Sequence, residues 1–486
     1  MSVKKFMFSL LCTSLLGMVA CGDDKSDSAD TNPVVSPSPT SSADPMDLPG
    51  LSSDGEPITS SPDPSVTSSP TPTSSAEVTP PPQSGDYATL ATSANVGIPA
   101  AWYNSWKANH YSTLEKDADY YPSLASDFEE IFKGDFLPAG RVVWQSSTQY
   151  TKCKVADATN NRMKNRACTV SEGIGYGMLL SYFNNDSETF TRLWNYNRAY
   201  RDYSGSGNLM PWIVPSFSYV IIDKGSATDA DLDIATALIL MYYKTKQEPY
   251  KTDALAIIND IWTYEIEPNS KLILSGNTSM WNGKGSYEIT YNLSYFSPVA
   301  LRLFALVDTA HDWNGVLDAM YTYMAKVQDG GTGVFPDWSN AAGVAVKPPN
   351  NSANATYFRF YNESVRIPWR IAWDYYWFQD TRAATVLSKL NKFIVDKSSG
   401  DVKSNALGTN YSWNLSVGAD KTETSVMGMW LAAWCATGIA GNSTWLNDCT
   451  TELNTKKLSN STASYFNDIL MVMYSQLLNG QFVKPF

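Results

Sequence analysis

The amino-acid sequence predicts an all-α domain that is built from consecutive pairs of helices. Between residues 100 and 478, apolar and aromatic side chains recur at the three- and four-residue spacing of a helix face. These helical segments follow one another in pairs, and the loops between the pairs are long and rich in Gly, Pro and Asn. A succession of helical pairs of this kind indicates an α/α toroid around one apolar core.

The individual helices can be placed in order along the chain. The first pair is Ala100 to His110 with Pro122 to Lys133, and Arg141 to Lys152 is more typical of a strand or an irregular segment. The later pairs are Ser171–Asn184 with Ser187–Tyr200, Asp229–Thr245 with Tyr250–Tyr264, Phe296–Thr309 with Asp312–Val327, Ser364–Phe378 with Asp380–Val395, and Glu423–Ala436 with Trp445–Leu453, followed by a last helix at Ser464–Leu478.

Residues 1–21 have the features of an export signal. Two lysines precede an apolar run that ends at Ala20 and is followed by Cys21. A cysteine after small residues is typical of a lipobox-like site, here with Met18 in place of the more usual Leu. We therefore expect export and a lipid anchor at Cys21 that holds the protein to the cell envelope. A plain signal peptide cleaved near Ala20, which would leave the protein secreted, is the alternative.

Residues 22–90 are predicted to form a disordered linker. From Gly22 to Asp86 the composition is dominated by Ser, Thr, Pro and Asp without an aromatic residue, so too little apolar surface is available to offset the entropy of ordering. This stretch holds eleven acidic side chains and one basic side chain, which accounts for most of the net charge of −12. Residues 91–486 are then close to neutral, and no basic patch indicates a nucleic-acid partner.

Four cysteines of the aromatic-rich region form two close pairs. In an exported protein this arrangement predicts two local disulfides, Cys153–Cys168 and Cys435–Cys449. A zinc site is the alternative, but the pairs are separated by 15 and 14 residues and the chain has only two histidines. The same scarcity of histidine argues against a Ser-His-Asp triad.

One stretch combines a candidate catalytic carboxylate with a glycine-rich helix start. From Thr169 to Phe183 it reads TVSEGIGYGMLLSYF, and Ser171 fits a helix N-cap. The three glycines weaken a helix, so another part of the molecule is expected to approach its backbone closely, or the turn is unusual. Glu172 then lies at the mouth of a helix on an open surface that suits a bulky neutral ligand such as a sugar ring. A capped helix with a solvated Glu is the alternative.

A second stretch opens a helix with three aspartates at alternating positions. From Ala227 to Tyr243 it reads ATDADLDIATALILMYY. Asp229, Asp231 and Asp233 cannot all face one direction on a helix. Acids in the first turn complement the helix dipole by about 0.3–1 kcal/mol each, which explains one of these acids well and three poorly. A role beyond helix capping is therefore indicated for this set.

Together, these two stretches resemble the two signatures of glycoside hydrolase family 8. Three further segments are similar to the same family: NLSYFSP at Asn292–Pro298, VFPDW at Val334–Trp338 and VRIPWRIAWDY at Val365–Tyr375. The resemblance implies an (α/α)6 barrel of six helical hairpins over residues 91–486, with long loops that form a substrate cleft. It also implies an inverting hydrolase that needs no metal or organic cofactor.

The resemblance further implies roles for the carboxylates of the two signatures. Glu172 matches the family's general acid, and Asp229 matches the acid that holds the sugar at the cleavage point. Asp231 is a predicted substrate contact, and Asp233 is assigned to capping or to bonds that support other residues. A helix N-terminus lowers the pKa of a carboxyl, so burial or a nearby carboxylate has to raise the pKa of Glu172 for it to act as an acid.

The predicted base is the position at which this chain departs from the family. Many members place Asp three residues before the Arg of a Y-D-A-x-R segment, whereas this chain reads YNESVR at Tyr361–Arg366, with Glu363 in that place. Other members use a Glu in the preceding loop, but residues 339–360 contain no acid. Glu363 is therefore the predicted base, with Asp337 as second candidate and otherwise a substrate contact. An ordinary first-turn acid is the alternative for Glu363. Arg366 is predicted to orient the base or a sugar hydroxyl.

Aromatic side chains near the loops are predicted to bind sugar rings. Trp212, Trp281 and Trp338 lie in loops rich in Gly, Pro or Asn, and we assign them as stacking platforms, with core packing as the alternative. Tyr176 and Tyr295 are further predicted substrate contacts.

These residues predict a monomeric hydrolase that cuts internal β-1,4 bonds of a plant-type polysaccharide. β-Glucan or cellulose is the first expectation, then xylan, then chitosan, because the glycine at position 175 resembles the glucan-cleaving members. A glycan-binding protein that has lost catalysis is the alternative of another class, and the altered YNESVR segment supports it. A polysaccharide lyase would use a Tyr or His base and basic groups for uronates, which the motifs do not provide.

Overall fold

The computed structural model describes residues 99–120, 129, 131–144, 155–156, 163–164, 168–205, 207–215, 222–349, 356–408, 410–421, 428–459 and 464–486. The α-helices within these ranges are α1 Pro99–His110, α2 Leu114–Tyr120, α3 Ser171–Phe183, α4 Ser187–Ser204, α5 Thr228–Thr245, α6 Glu248–Glu265, α7 Pro298–Val307, α8 Trp313–Asp329, α9 Ile367–Phe378, α10 Thr381–Ser398, α11 Gly428–Ala436, α12 Ser443–Leu453 and α13 Tyr465–Leu478.

Six helices form a closed inner ring. In the order α3, α5, α7, α9, α11 and α13, each contacts the next, and α13 returns to α3. The inner helices are covered on all sides, and their sequences are correspondingly apolar around the whole circumference. Every residue of α3 except Glu172 is buried, as is every residue of α5 from Thr228 to Met241.

The other six long helices form an outer layer. Helices α4, α6, α8, α10 and α12 each pack on the inner helix that precedes them, and α1 packs on α13. They are amphipathic, as in α10, where the buried side chains recur every three or four residues: Ala383, Val386, Leu387, Leu390 and Ile394. The arrangement confirms the predicted (α/α)6 barrel. The order of segments did not reveal that α1 packs on the last inner helix, because this contact arises only when the ring closes.

Short antiparallel ladders brace the loops that connect the hairpins. The pairs are β1 Tyr111–Thr113 with β2 Gly140–Val142, β3 Val155–Ala156 with β4 Met163–Lys164, β5 Cys168–Val170 with β6 Ile213–Pro215, β7 Thr290–Tyr291 with β8 Ser339–Asn340, and β9 Arg359–Phe360 with β10 Tyr411–Ser412. Strand β5 runs directly into α3, so its pairing with β6 fixes the start of the helix that carries Glu172.

The C-terminal ends of the inner helices are closed by aromatic rings. Phe482 is fully buried and stacks on Phe183, the last residue of α3, with ring centroids 3.9 Å apart. It also meets the edge of Trp373, and the indole of Trp377 donates a 2.5 Å hydrogen bond to the Phe482 carbonyl. The segment after α13 therefore plugs this end of the ring.

Most helix predictions from Ser171 onward agree with the structure to within a few residues. The short helix α2 was not predicted, and the predicted segment Pro122 to Lys133 lies largely outside the described residues. Cys435 and Cys449 form the predicted disulfide, which joins α11 to α12. Cys153, the predicted partner of Cys168, is outside the described part of the chain, as are the export signal, Cys21 and the linker.

No helix in the described part of the chain combines the length and the apolar character that a membrane span needs.

Candidate active site

The N-terminal ends of the inner helices meet at one end of the barrel. Glu172 lies in the first turn of α3, Asp229 in the first turn of α5, and Tyr465 is the first residue of α13. A 3-10 turn at Ser364–Arg366 leads into α9. The outer helices return the chain after each inner helix, so all inner helices start on the same side and bring these distant residues together.

Arg366 joins three of the predicted catalytic carboxylates. Its Nη1 donates to Glu172 Oε2 at 2.7 Å and to Asp229 Oδ2 at 2.8 Å. Its Nη2 donates to Glu363 Oε2. Guanidinium groups donate through several N–H groups in a fixed plane, so one Arg side chain can hold three acids in a defined arrangement. The structure therefore brings together Glu172, Asp229 and Glu363 as predicted and assigns Arg366 to their centre.

The surroundings of Glu172 favour its protonated form. Its Oε1 accepts a 2.8 Å hydrogen bond from the Tyr465 hydroxyl, and its side chain keeps 18% exposure. Burial raises the pKa of Glu172 to about 7, against the opposing effect of Arg366 and with a further rise from Asp229. The carboxyl is thus largely protonated in mildly acidic solution, although it lies at a helix N-terminus that favours the anion.

Asp229 offers a free acceptor towards the same centre. The Oδ2 atom of Asp229 accepts from Arg366, whereas Asp229 Oδ1 is buried and receives no hydrogen bond from any described residue. Burial raises the pKa of Asp229 to about 6, and Arg366 opposes this rise. A buried carboxylate oxygen without a donor favours binding a hydroxyl group, because a ligand donor would remove the cost of leaving it unsatisfied.

The two base candidates have different surroundings. Glu363 receives a 2.6 Å hydrogen bond from Asn292 Nδ2 on the same oxygen that meets Arg366. Asp337 is 2% exposed, and its Oδ1 accepts from the Ser364 N–H, the Ser364 hydroxyl and the Tyr361 N–H at 2.9, 2.7 and 3.0 Å. Burial, followed by the charge of Glu363, raises the pKa of Asp337 to about 7. Asp337 thus fixes the turn that carries Glu363, and this geometry favours Glu363 as the residue that meets water.

The alternating glycines allow two inner helices to approach closely. A Cβ at position 175 would lie 2.9 Å from Asp233 Cβ and 3.2 Å from the Ala230 carbonyl. Gly173 and Gly177 face Val142 in the same way. The predicted close approach is present, but the expected open surface is wrong, because these glycines are buried under neighbouring elements. The N-cap prediction for Ser171 is also wrong: the helix starts after Val170 without a side-chain cap bond, and the Ser171 hydroxyl has no partner in the described structure.

One turn further into the ring, Asp233 forms a buried ion pair. Arg370 donates from Nη1 and Nη2 to the two Asp233 oxygens at 2.7 and 2.9 Å. Arg370 Nη1 also donates to the Ser297 hydroxyl at 3.0 Å, so this pair connects α5, α7 and α9 below the site. Asp233 therefore supports the site from beneath, one of the two roles proposed for it.

Three predicted substrate contacts require correction. Tyr176 is fully buried and packs against Trp369, so its ring offers no free face for stacking on a sugar. Asp231 is 1% exposed and points into α6 rather than into the site. Trp338 is 1% exposed beneath Trp281, with the two rings stacked at 5.3 Å. Local sequence placed these residues beside the site, but the direction of each side chain is set by the neighbouring helices and loops.

The remaining aromatic predictions have mixed positions. Trp281 and Trp212 are half-buried. Trp281 covers Trp338, and the Trp212 carbonyl accepts from the Ser171 N–H next to Glu172. Tyr295 is 4% exposed and lies under the Arg366 guanidinium at 5.4 Å, so it supports the central cation more than it offers a free ring. In the described ranges, no group of three or more His, Cys, Asp and Glu side chains is arranged as a metal site.

Sequence reasoning missed two residues of the site. Asn292 belongs to the segment Asn292–Pro298 that resembles the family, but its bond to Glu363 could not be inferred. Tyr465 is separated from Glu172 by 293 positions and has no motif of its own. The one available signal was that a predicted inner helix starts at this point, as α3 does at Glu172.

Comparisons with known proteins support this fold. The sequence profile of glycosyl hydrolases family 8 matches residues 85–480. Endoglucanase C of Ruminiclostridium cellulolyticum is 28% identical over 407 residues, covering 82% of this chain and 75% of that protein. Endoglucanase 2 of Ruminiclostridium josui is 30% identical, covering 65% of this chain and 64% of that protein, so the match is just under two thirds of its length.

Two solved structures share the fold. A β-1,3-1,4-glucanase from Paenibacillus sp. X4 superposes with a TM-score of 0.60 at 22% identity, covering 83% of this chain and 95% of that one. Rex8A from Paenibacillus barcinonensis, solved with xylose, gives a TM-score of 0.52 at 17% identity, covering 78% and 99%. At these identities the likeness concerns the architecture.

Proposed function

The chain belongs to glycoside hydrolase family 8 and is a glycoside hydrolase, and on this basis we propose that it cleaves internal β-1,4 bonds of a β-glucan or cellulose chain with inversion. The relatives reported above are named endoglucanases, which supports an internal cut in a glucan. The observation that carries the mechanism is the cluster around Arg366, which holds Glu172 together with Asp229 and Glu363 while burial raises the pKa of Glu172 to about 7.

The proposed reaction is a single displacement at the anomeric carbon. Glu172 gives its proton to the glycosidic oxygen as the bond from that oxygen to the anomeric carbon breaks. Water attacks the same carbon from the opposite face and loses a proton to Glu363. Asp229 accepts, through its free Oδ1, a hydrogen bond from a hydroxyl group of the sugar at the cleavage point. Inversion requires room for that water, with the acid and the base about 6.5–9.5 Å apart in enzymes of this type.

Release of reducing sugar from carboxymethylcellulose, mixed-linkage β-glucan, xylan and chitosan tests the proposal. We expect the highest rate on a glucan, followed by xylan and then chitosan. Glu172→Gln is expected to lower kcat by about a thousandfold, because proton transfer contributes on this order. Glu248→Gln is the matched control, since Glu248 also lies in a first helical turn but is exposed on α6. A glucan rate that survives in Glu172→Gln would contradict the assignment of the acid.

The base is tested by a second pair of variants. Glu363→Gln is expected to lower kcat by about a hundredfold to a thousandfold, and azide or formate is expected to restore part of the rate by acting in place of the carboxylate. Asp337→Asn should lower the rate without such rescue, because Asp337 acts through the turn at Ser364. If azide or formate restored the rate of Asp337→Asn but not that of Glu363→Gln, Asp337 would be the base and Glu363 the supporting residue.

A glycan-binding protein without catalysis is the second candidate function. The replacement of the usual Asp by Glu363 in the YNESVR segment favours it. This candidate predicts that the wild type retains soluble β-glucan in affinity electrophoresis but releases no reducing sugar from any of the four polymers. Turnover on any of them rejects it.

We also propose that the protein is exported and held to the cell envelope by a lipid on Cys21. The support is the charged, apolar and small-residue order of residues 1–21 and the acidic, aromatic-free tether that follows. Partition of the mature protein into the detergent phase of Triton X-114, lost in Cys21→Ser, is the expected result. A wild-type protein found wholly in the aqueous phase would favour the plain signal peptide.

A further inference from the structure

Two carboxylic acids outside the Arg366 cluster face each other in the core. Asp231 lies in the first turn of α5, two residues after Asp229, and Glu265 is the last residue of α6. Their carboxyl groups lie within hydrogen-bonding reach of each other, and the residues are 1% and 0% exposed. Two buried carboxyl groups in such close contact cannot both be ionised without a large electrostatic cost.

The donors around the pair satisfy only half of its oxygens. The Met210 N–H donates to Asp231 Oδ1 at 3.1 Å, and the Ser226 hydroxyl donates to Glu265 Oε1 at 2.5 Å. Asp231 Oδ2 and Glu265 Oε2 are buried without a donor in full hydrogen-bond geometry, and the Thr228 hydroxyl also lies beside Glu265, where it favours the ionised form. A proton between these two oxygens would satisfy both at once, because a protonated carboxyl is a donor.

The charges that face the pair do not remove the need for this proton. Asp229 adds a further negative group on the same helix. The positive charge that acts on Asp231 is Arg201 of α4, whose Nη2 donates to both oxygens of Asp253 at 2.7 Å. Burial, followed by the charge of Glu265, raises the pKa of Asp231 well above its ordinary value, and burial raises the pKa of Glu265 to about 8.

The pair connects two parts of the candidate site. On one side, Asp231 ties the first turn of α5 to the Met210 N–H, and Asp229 presents its free oxygen from the same turn. On the other side, Ser226 accepts from the Asn277 N–H at 3.3 Å, and its own N–H donates to Asn277 Oδ1 at 3.0 Å. Gly276, the neighbour of Asn277, lies close to the Ser226 carbonyl and to the Trp281 ring. Ser226 therefore contacts the loop at residues 276–281, to which Trp281 belongs.

We propose that Asp231 and Glu265 share one proton and act as a positioning pair, which holds Asp229 and the Trp281 loop in register for the sugar chain. Neither residue touches the substrate. The proposal rests on the function proposed above, because it assigns the pair to the same site. Loss of the shared proton would leave two adjacent anions that push α5 and α6 apart at the end that carries Asp229.

Amide substitutions test the shared proton directly. In Glu265→Gln or Asp231→Asn, the amide N–H takes the place of the shared proton, so we expect kcat/KM on β-glucan to stay within about threefold of wild type. Glu265→Leu keeps the volume but removes both hydrogen bonds, and we expect kcat/KM to fall by at least about tenfold. Glu248→Gln, an exposed position on the same helix, is the matched control.

A measurement without substrate separates this proposal from the proposed function. A carboxyl whose pKa is raised on folding stabilises the folded state less as the pH rises from its unfolded value through its folded value, here from about 4.5 to about 8. Wild-type Tm is therefore expected to fall between pH 5 and pH 9. This fall should be smaller in Glu265→Gln, because the amide does not titrate, and unchanged in Glu248→Gln.

Each outcome decides the proposal. It stands if both amide variants keep activity and Glu265→Gln reduces the fall in Tm. It is overturned if Glu265→Gln loses as much activity as Glu265→Leu, or if the fall in Tm is the same with and without Glu265. If Glu265→Leu does not fold, the two amide variants and the Tm comparison still decide it. A wild type that releases no sugar from any polymer rejects the proposed function, while the Tm comparison then decides the shared proton by itself.

Discussion

The two ends of the inner ring differ in what they bury. At the N-terminal end, Arg366 holds three carboxylates, and the pKa values of Glu172 and Asp229 are raised by burial. At the C-terminal end, Phe482 packs against the aromatic rings of Phe183 and Trp373. Burial of apolar rings stabilises the fold, whereas burial of ionisable groups costs stability unless they are paired. One end of the barrel thus holds the candidate catalytic residues, and the other contributes packing that supports the fold.

The largest effect is expected at the charged end. Arg366→Met should lower kcat on β-glucan by about a thousandfold, because the three acids lose the cation that orders them. Both Glu172 and Asp229 would then bind protons more tightly, since Arg366 lowers their pKa values. Initial rates of reducing-sugar release measure this effect.

Arg382→Met is the matched control for this variant. Arg382 also binds two acids, Asp318 and Asp380, but its side chain is 39% exposed on the outer layer. Its loss should leave kcat unchanged. If Arg366→Met retained a tenth of the wild-type rate, catalysis would not depend on the ordering of the three acids by Arg366, and the charged end would not have the role assigned to it.

The second effect is expected at the aromatic end and in stability. Phe482→Ala should lower the free energy of unfolding by about 3–5 kcal/mol, because a fully buried ring is removed from close packing. At 25 °C kcat of the folded protein should change by less than about twofold. Denaturant unfolding and initial rates check both expectations. Val483→Ala is the control, since Val483 is 66% exposed. A Phe482→Ala variant with the unfolding free energy of the wild type would contradict the assignment of a supporting role to the aromatic end.

An intermediate effect is expected where α3 and α5 cross. Gly175→Ala places a Cβ 2.9 Å from Asp233 Cβ, so the two helices have to separate. Overpacking of this kind costs about 1–3 kcal/mol, which exceeds the gain of up to about 1 kcal/mol from replacing glycine in a helix. Both unfolding free energy and kcat should fall, because Glu172 and Asp229 lie on these two helices. An alanine variant that is more stable than wild type would show that the approach is not tight.

The smallest effect concerns the pH profile at the charged end. The wild-type rate should fall as the pH rises through about 7, because Glu172 loses the proton that it has to deliver. The Tyr465 hydroxyl favours the ionised form of Glu172, so Tyr465→Phe should raise this pKa and move the alkaline limb to higher pH, by less than about one unit. Plots of kcat/KM against pH measure the limb.

Tyr474→Phe is the control for the pH profile. Tyr474 lies on the same helix, but its hydroxyl donates to the Val365 carbonyl at 2.6 Å rather than to a carboxylate. The alkaline limb of the kcat/KM profile of Tyr474→Phe should stay at the pH of the wild type. A limb that moves to lower pH in Tyr465→Phe would contradict the assignment of Glu172 as the titrating acid.

The helices could be predicted because their apolar period is a local property of the chain. The two signatures also brought Glu172 and Asp229 into one site, and the glycines correctly indicated a close approach. Directions of side chains could not be predicted in the same way. Tyr176 and Trp338 are buried by elements that lie far away in sequence, and Asp231 turns towards α6 although Asp229, two residues earlier, faces Arg366.

Partners that are distant in sequence gave no signal at all. Glu265 ends an ordinary amphipathic helix, and nothing in its surroundings marks it as the neighbour of Asp231. Arg370 is one helical turn from Arg366 and binds Asp233 at a sequence separation of 137. These contacts depend on how the ring closes, which is a property of the whole domain and not of any segment.

Ring closure between α13 and α3 has a consequence for how the protein is made. The hydroxyl that contacts Glu172 belongs to Tyr465, so the acid acquires this neighbour only after a further 293 residues have been synthesised. The same late segment brings in Phe482, which seals the opposite end. During synthesis, the segment from Tyr465 to Phe482 therefore completes both the surroundings of the candidate acid and its support, and a nascent chain released before this segment carries an unfinished acid.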